Sequence, residues 1–232
     1  VLTLFVVVLL IVLKKQQDHM EKLEDNVAVQ ADEVTNLEDS TIPEVLDKPI
    51  EKKTPMRGII AIIIDDFGYR NDHISNGFLE LPAKLTYAII PGHDHSQLFS
   101  KKAYDAGYEI IVHLPMENIG KTYGEEEYVL MSYFQDDEIK SRINNAFDNL
   151  PEAIGLNNHQ GSRGTADSRV MTLLAGVIKD KKKFFIDSRT TSQTVAEDIM
   201  RLRGVPTARR HVFLDNANDI KKIREQLYKL VN

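Results

Sequence analysis

Four residues of this chain have the chemistry to hold a divalent metal and activate a water: the adjacent acids Asp65 and Asp66, and the histidines His113 and His159. Imidazole nitrogen and carboxylate oxygen together suit zinc and its neighbours, and open coordination positions admit water. Water acidified by such an ion becomes a nucleophile near neutral pH, and a second, unligated carboxylate can take its proton. That division of labour needs two acids in one place, and Asp65-Asp66 supplies them. Either histidine alone could be a satisfied structural side chain. Two histidines and two acids, all at strand ends, point to a site.

Other polar residues gather at the ends of neighbouring apolar runs. Glu117 follows His113-Leu114-Pro115-Met116, and Arg163 closes Asn157-Asn158-His159-Gln160-Gly161-Ser162-Arg163. Asp187 and Arg189 end a later run, and Asp215-Asn216 end the last. Arg163 and Arg189 could hold an anionic intermediate or form a salt bridge at the rim. Asp187 could orient Arg163 or His159, or cap the next helix. His93 and His95 are read as opening the next helix, with substrate contact as the alternative. His19, His73 and His211 carry no assigned role. Gly161-Ser162-Arg163-Gly164 lacks the Gly-Lys-Ser/Thr ending of a phosphate loop, so a nucleotide site is excluded.

The elements that must position these groups follow from periodicity. Ile59-Ile60-Ala61-Ile62-Ile63-Ile64 reads as a strand buried on both faces, with the two acids where it runs out. Alternation sends Asp65 and Asp66 to opposite sides unless the turn at Phe67-Gly68 brings both to the rim. Further strands are expected at 85–90, 109–113, 153–157, 184–187 and about 211–214. Helices are expected at about 70–80, 95–106, 135–149, 167–181, 192–203 and 217–231. Asp136 is the expected cap of the helix carrying Ile139, Ile143 and Phe147. Six β-then-α units predict parallel strands with helices outside, and strand ends that converge on one rim. The irregular stretch 114–134 is long for a connection and is a candidate active-site loop.

Composition limits the rest. The chain has 232 residues and a formal net charge of −6. Between Asp18 and Pro49 there are ten acids and two lysines, a balance of −8 that leaves the remainder near +2. No basic stripe points to nucleic acid. The chain has no cysteine, which excludes thiol catalysis, thiolate zinc sites and disulfides and suits an oxidising compartment. Residues 1–15 hold an apolar run closed by Lys14-Lys15, too short for the ~20 residues of a membrane span. They are expected to be a truncated signal peptide or membrane anchor, the only part to meet a membrane. Residues 16–56 are expected to be an acidic disordered tether. Residues 57–232 form the folded domain.

Ile64-Asp65-Asp66-Phe67-Gly68, His113-Leu114-Pro115-Met116-Glu117, the Asn157–Arg163 segment, Phe185-Ile186-Asp187-Ser188-Arg189-Thr190 and Val212-Phe213-Leu214-Asp215-Asn216 occur in order. Together they resemble the motifs of the divergent polysaccharide deacetylase family, relatives of the NodB-like carbohydrate esterases. The resemblance runs from about Gly58 to Val231. It implies an α/β fold, an irregular (β/α) barrel of six or seven parallel strands. The family's usual further strand bearing Gly-His-Pro does not occur before Asn232, so the last strand is expected to be missing. The resemblance also implies metal-dependent removal of acetyl groups from an acetylated polysaccharide or peptidoglycan-type glycan, in an extracytoplasmic location. It assigns the catalytic base to Asp65 and a metal ligand to Asp66, with zinc the expected ion. His113 matches the relatives' first metal histidine. Their second lies four residues later, where this chain has Glu117. His159 is therefore the expected third ligand, with Glu117 the alternative, and Arg163 and Asp187 complete the expected catalytic set. Two other readings remain: a catalytically silent extracytoplasmic module that binds glycan or protein on the same fold, and a metal-dependent hydrolase of a different bond.

Overall fold

The computed structural model describes residues 59–231; the expected N-terminal segment and tether lie outside the described residues. Six parallel strands form one sheet in sequential order. They are β1 (Ile63–Phe67), β2 (Thr86–Ile89), β3 (Glu109–Met116), β4 (Gly155–Gln160), β5 (Phe184–Asp187) and β6 (Thr207–Arg209). Between them run α1 (His73–Phe78), α2 (Ser96–Asp105), α3 (Asp136–Asn149), α4 (Ser168–Asp180) and α5 (Ala196–Arg203). Sequential order with a helix after each strand is barrel winding, and the sheet remains open between β1 and β6 among the described residues. Residues 60–211 make one compact unit, and the segment from Val212 belongs to another. That segment carries α6 (Ile220–Val231), whose first turn is held by Asp219 accepting from the Lys221 and Lys222 N–H groups at 2.8 and 3.1 Å.

The core is built where the apolar runs predicted it. Every residue of β2 is buried, and so is β3 from Ile110 to Met116. Helices cover these strands with apolar stripes at helical spacing: Ile139, Ile143, Ala146 and Phe147 on α3, and Val170, Met171, Leu174, Ala175 and Ile178 on α4. Each fully buried Leu or Ile stabilises the fold by roughly 1.5–3 kcal/mol relative to exposure.

Several expectations shift. The first strand starts at Ile63 rather than Ile59, and its register with β2 begins at Ile63↔Thr86. Ile59 is 84% exposed and Ile60 45%. The strand sits at the open edge of the sheet, so the run is not buried on both faces. Strands β3 and β4 both continue further than expected, because their pairing holds from Ile111↔Gly155 to Met116↔Gln160. His113 and His159 therefore stand within paired strands. The sixth strand is Thr207–Arg209, not 211–214; it lacks an apolar run and is recruited by pairing with β5. Asp215 and Asn216 lie beyond it, in the C-terminal unit. Asp136 does not cap α3: Gln135 precedes the helix without a side-chain bond, and Asp136 stands in its first turn, where Arg169 Nε reaches it at 3.0 Å.

Candidate metal centre

Register places the site. His113 pairs with Asn157 and Pro115 with His159 across β3 and β4. With a side-chain period of two, His113, Asn157 and His159 share one face of the sheet. The acids arrive from β1 by a different device. Ile64 pairs with Tyr87 and Phe67 with Ile89, so β1 carries one residue more than β2 between those pairs. This is a bulge, and within it Asp66 has a left-handed backbone, φ 66°. Aspartate tolerates that region better than most residues. The bulge breaks the alternation, so both carboxylates reach the same cluster. Gly68 then turns the chain at φ 124°, where a Cβ would come within 2.6 Å of Ser96 Oγ.

Three donor atoms converge. Asp66 Oδ1 lies 3.2 Å from His113 Nε2 and 3.0 Å from His159 Nδ1. The two ring nitrogens are 3.1 Å apart. A tetrahedral zinc ion with bonds of ~2.0 Å spaces its ligands about 3.3 Å apart, so the near-equilateral triangle matches one face of such a site. Asp66, His113 and His159 also form a possible metal-holding group among the described residues. The donor set fits a divalent ion.

The surroundings orient these donor groups. His113 is buried, and its Nδ1 lies 2.7 Å from Asn157 Oδ1. An amide oxygen only accepts, so Nδ1 carries the proton and the Nε2 lone pair faces the triangle. The other end of the same amide donates to Asp65 Oδ1 at 2.9 Å. Asn157 thus joins Asp65 to His113. Burial acts to lower the His113 pKa, but the charges of Asp65 and Asp66 and the hydrogen bond with Asp66 outweigh it and raise the pKa. Partial burial acts to raise the Asp66 pKa, and hydrogen bonds and charge from His113 and His159 more than reverse it, holding the carboxyl well below the usual range.

The other expected residues serve the neighbouring loops. Glu117 is buried, accepts from the Ser132 N–H at 2.7 Å and faces Arg163 Nε at 3.6 Å. Its backbone oxygen accepts from the N–H groups of Arg163 and Gly164. Glu117 therefore ties the β3–α3 connection to the β4 end. Asp187 is buried, and its carboxylate accepts from the Arg189 N–H and the Thr194 hydroxyl, each at 2.8 Å. His95 precedes α2 directly, while His93 pairs with Glu125 at 2.7 Å and lies against the Tyr69 ring. Asn157 escaped the sequence reading. Its signal was spacing: on an extended strand it lies two residues before His159 and so on the same face.

Residues 62–232 match the family described as divergent polysaccharide deacetylase. The chain belongs to that family. Membership agrees with the order of the five motifs and with the parallel βα winding. The chain is 34% identical over 177 residues to YibQ, an uncharacterized protein of Escherichia coli K12, covering 76% of this chain and 55% of YibQ. It is 34% identical over 171 residues to an uncharacterized protein of Haemophilus influenzae, covering 72% of this chain and 59% of the relative. The chain thus spans somewhat over half the length of these relatives. A crystal structure of an uncharacterized protein from Agrobacterium tumefaciens C58 superposes with a TM-score of 0.68 at 20% identity, covering 73% of this chain and 70% of that one. It has the same fold as this deacetylase-family domain.

Proposed function

We propose that this domain hydrolyses acetyl groups from a cell-envelope glycan, outside the cytoplasm, with a divalent metal held by Asp66, His113 and His159. The observation that carries the reading is the donor triangle with a fourth polar group beside it: Asp65, adjacent in sequence but held apart on Asn157. When bound, the ion supplies a Lewis acid that polarises the acyl carbonyl and makes water acidic near neutral pH. Asp65 accepts the proton of the attacking water and later delivers it to the departing amine or alkoxide. Asn157 keeps the Asp65 carboxylate directed at the cluster while locking the His113 tautomer. Family membership supports a glycan substrate. The apolar run of residues 1–13 and the lack of cysteine support an extracytoplasmic setting, and zinc is favoured by the His₂-carboxylate donor set.

The test is metal content by elemental analysis beside acetate release from acetylated chitooligosaccharides. One equivalent of bound metal and acetate release that stops on chelation are expected. Metal bound without acetate release from any acetylated glycan would leave a binding module in place of the enzyme.

A further inference from the structure

Two tyrosines stand open beside the donor triangle, Tyr69 53% exposed and Tyr123 58%. A single exposed aromatic means little by itself. These two differ in being held from behind. Tyr69 follows the Gly68 turn, and its ring centre lies 3.8 Å from that of His93. His93 is fixed in turn: its Nδ1 lies 2.7 Å from Glu125 Oε1, and its side chain is only 9% exposed. A carboxylate accepts, so Nδ1 carries a proton. The second nitrogen, Nε2, is buried and has no hydrogen-bond partner among the described residues. Buried polar atoms are seldom left so. One face of Tyr69 is thus spent on His93, and the other is open. Burial raises the Tyr69 pKa first, and the charges of Asp66 and Glu125 add to it. The ring therefore sits in the field of the triangle and keeps its hydroxyl proton.

Tyr123 is held by its backbone. Its N–H donates to Gln160 Oε1 at 3.2 Å, and its carbonyl accepts from Gln160 Nε2 at 3.4 Å. The same Gln160 Nε2 lies 3.0 Å from His159 Nε2, on the far side of the ring from the triangle. Lys121 Nζ stands over the Tyr123 ring, 4.9 Å from its centre. Gly124, at φ 139°, packs so closely on Pro115 that an added Cβ would come within 2.6 Å of the proline Cβ. This one stretch of loop sets both rings: Tyr123 directly, and Tyr69 through Glu125 and His93. Tyr69 stands past the ends of β1 and β2, and Tyr123 past the end of β4. With β3 and His113 between them, the ends of β2 and β4 are two spacings of ~4.8 Å apart. That is the reach of a short oligosaccharide rather than of one sugar. A sugar ring has an apolar C–H face, which matches the electron-rich face of an aromatic ring. Its hydroxyl edge needs donors and acceptors, and Glu125, Gln160 and His93 supply them beside the two rings. A wholly apolar ligand would leave those groups unpaired.

We propose that Tyr69 and Tyr123 are stacking platforms for the sugar units on either side of the one whose acetyl group meets the metal centre. His93 Nε2, uncovered as the Tyr69 ring shifts to meet its sugar, takes a hydroxyl of that unit. The domain then acts within a chain of sugars and not on a free monosaccharide. The proposal rests on the deacetylase reading. It is tested with the zinc-loaded full chain on the acetylated monosaccharide, trisaccharide and pentasaccharide of the chitooligosaccharide series. KM is expected to fall roughly tenfold or more from monosaccharide to trisaccharide, the order of one aromatic contact. Tyr69→Ala and Tyr123→Ala should each raise the trisaccharide KM by up to about tenfold, with kcat little changed and a far smaller effect on the monosaccharide. Tyr69→Phe keeps the ring and should keep most of the affinity. His93→Phe keeps a ring beneath Tyr69 without the nitrogen, and should raise the trisaccharide KM a few-fold; an unchanged KM there strikes out the His93 contact. Acetate release with the same KM at every length, or tyrosine variants that weaken all lengths alike, overturns the platforms and leaves the deacetylase reading intact. If no substrate releases acetate, calorimetric binding of the trisaccharide that weakens in Tyr69→Ala sustains the platforms and sinks the deacetylase reading. No such binding sinks both.

Discussion

The two ends of this sheet use the same residue types for different purposes. At β1, β3 and β4 the acids and imidazoles meet one another: Asp66 meets His113 and His159, and Asp65 meets Asn157. At β5 and β6 the acid turns inward. Asp187 accepts a backbone N–H and a nearby hydroxyl, and Arg210 donates to backbone carbonyls. A strand-end carboxylate is therefore not a ligand by position alone. What separates Asp66 from Asp187 is the set of partners its oxygens already hold, together with the exposure left over: Asp66 has a side chain 60% exposed, while Asp187 is 1% exposed.

The strongest break of this contrast is Asp66→Asn. A neutral amide replaces the only anionic donor of the triangle, so metal is expected to be lost on dialysis, with acetate release falling to background. Elemental analysis after gel filtration reads it, and retention of a full equivalent of metal would remove Asp66 from the donor set. Asp65→Asn comes next. It should keep the metal and lose roughly 10²–10⁴-fold in turnover, the range for a general base. Loss of metal in this variant with its retention in Asp66→Asn would reverse the two roles.

Asp187→Ala probes the other side of the comparison. Removing a buried acceptor strands the Arg189 N–H and the Thr194 hydroxyl, at a cost of about 1–3 kcal/mol. The denaturant midpoint should fall while metal stoichiometry stays at that of the parent chain. A variant of unchanged stability that loses metal would make Asp187 part of the centre. Asn157→Ala lies between the two cases. It removes the partner of both His113 and Asp65, and second-contact losses of this kind typically cost 10–100-fold in metal affinity or activity. Unchanged metal affinity and unchanged turnover together would show that the bridging amide orients nothing.

How much of this could be read in advance depends on how regular each element is. Strand β3 was legible because Ile110, Ile111 and Val112 form an apolar run buried between neighbours. Strand β6 was not, because Thr207-Ala208-Arg209 carries no apolar signature and exists through pairing with β5. The donor residue types were legible from Asp66, His113 and His159, although the two histidines stand inside paired strands and not at the strand ends where they were expected. The way Asp65 and Asp66 share one cluster was not. Alternation is the only rule a sequence offers for a strand, and a bulge with a left-handed aspartate suspends it. The role of Glu117 was equally hidden, since a carboxylate four residues after a histidine reads the same whether it holds a metal or the Ser132 N–H.

The finest test of the metal centre is its pH dependence, because the sign differs with and without metal. The His113 pKa is raised above its ordinary 6.5, burial opposing and the Asp65 and Asp66 charges prevailing. In the metal-free chain a raised histidine pKa contributes stability that is fully present below about 6.5 and is lost as pH rises through the higher folded value. Metal binding demands the neutral ring, so a proton must leave Nε2 first, and affinity weakens as pH falls through that same value. The limiting slope is about tenfold in affinity, or about 1.4 kcal/mol, per pH unit for one proton. Thermal unfolding between pH 6 and 8, with chelator in one series and saturating zinc in the other, compares the two directly. The metal-free midpoint is expected to decline toward pH 8 relative to the zinc-loaded one, so the gap between the series widens with pH. A constant gap would show that zinc displaces no proton from His113, and the triangle would then be a hydrogen-bonded cluster instead of a metal site.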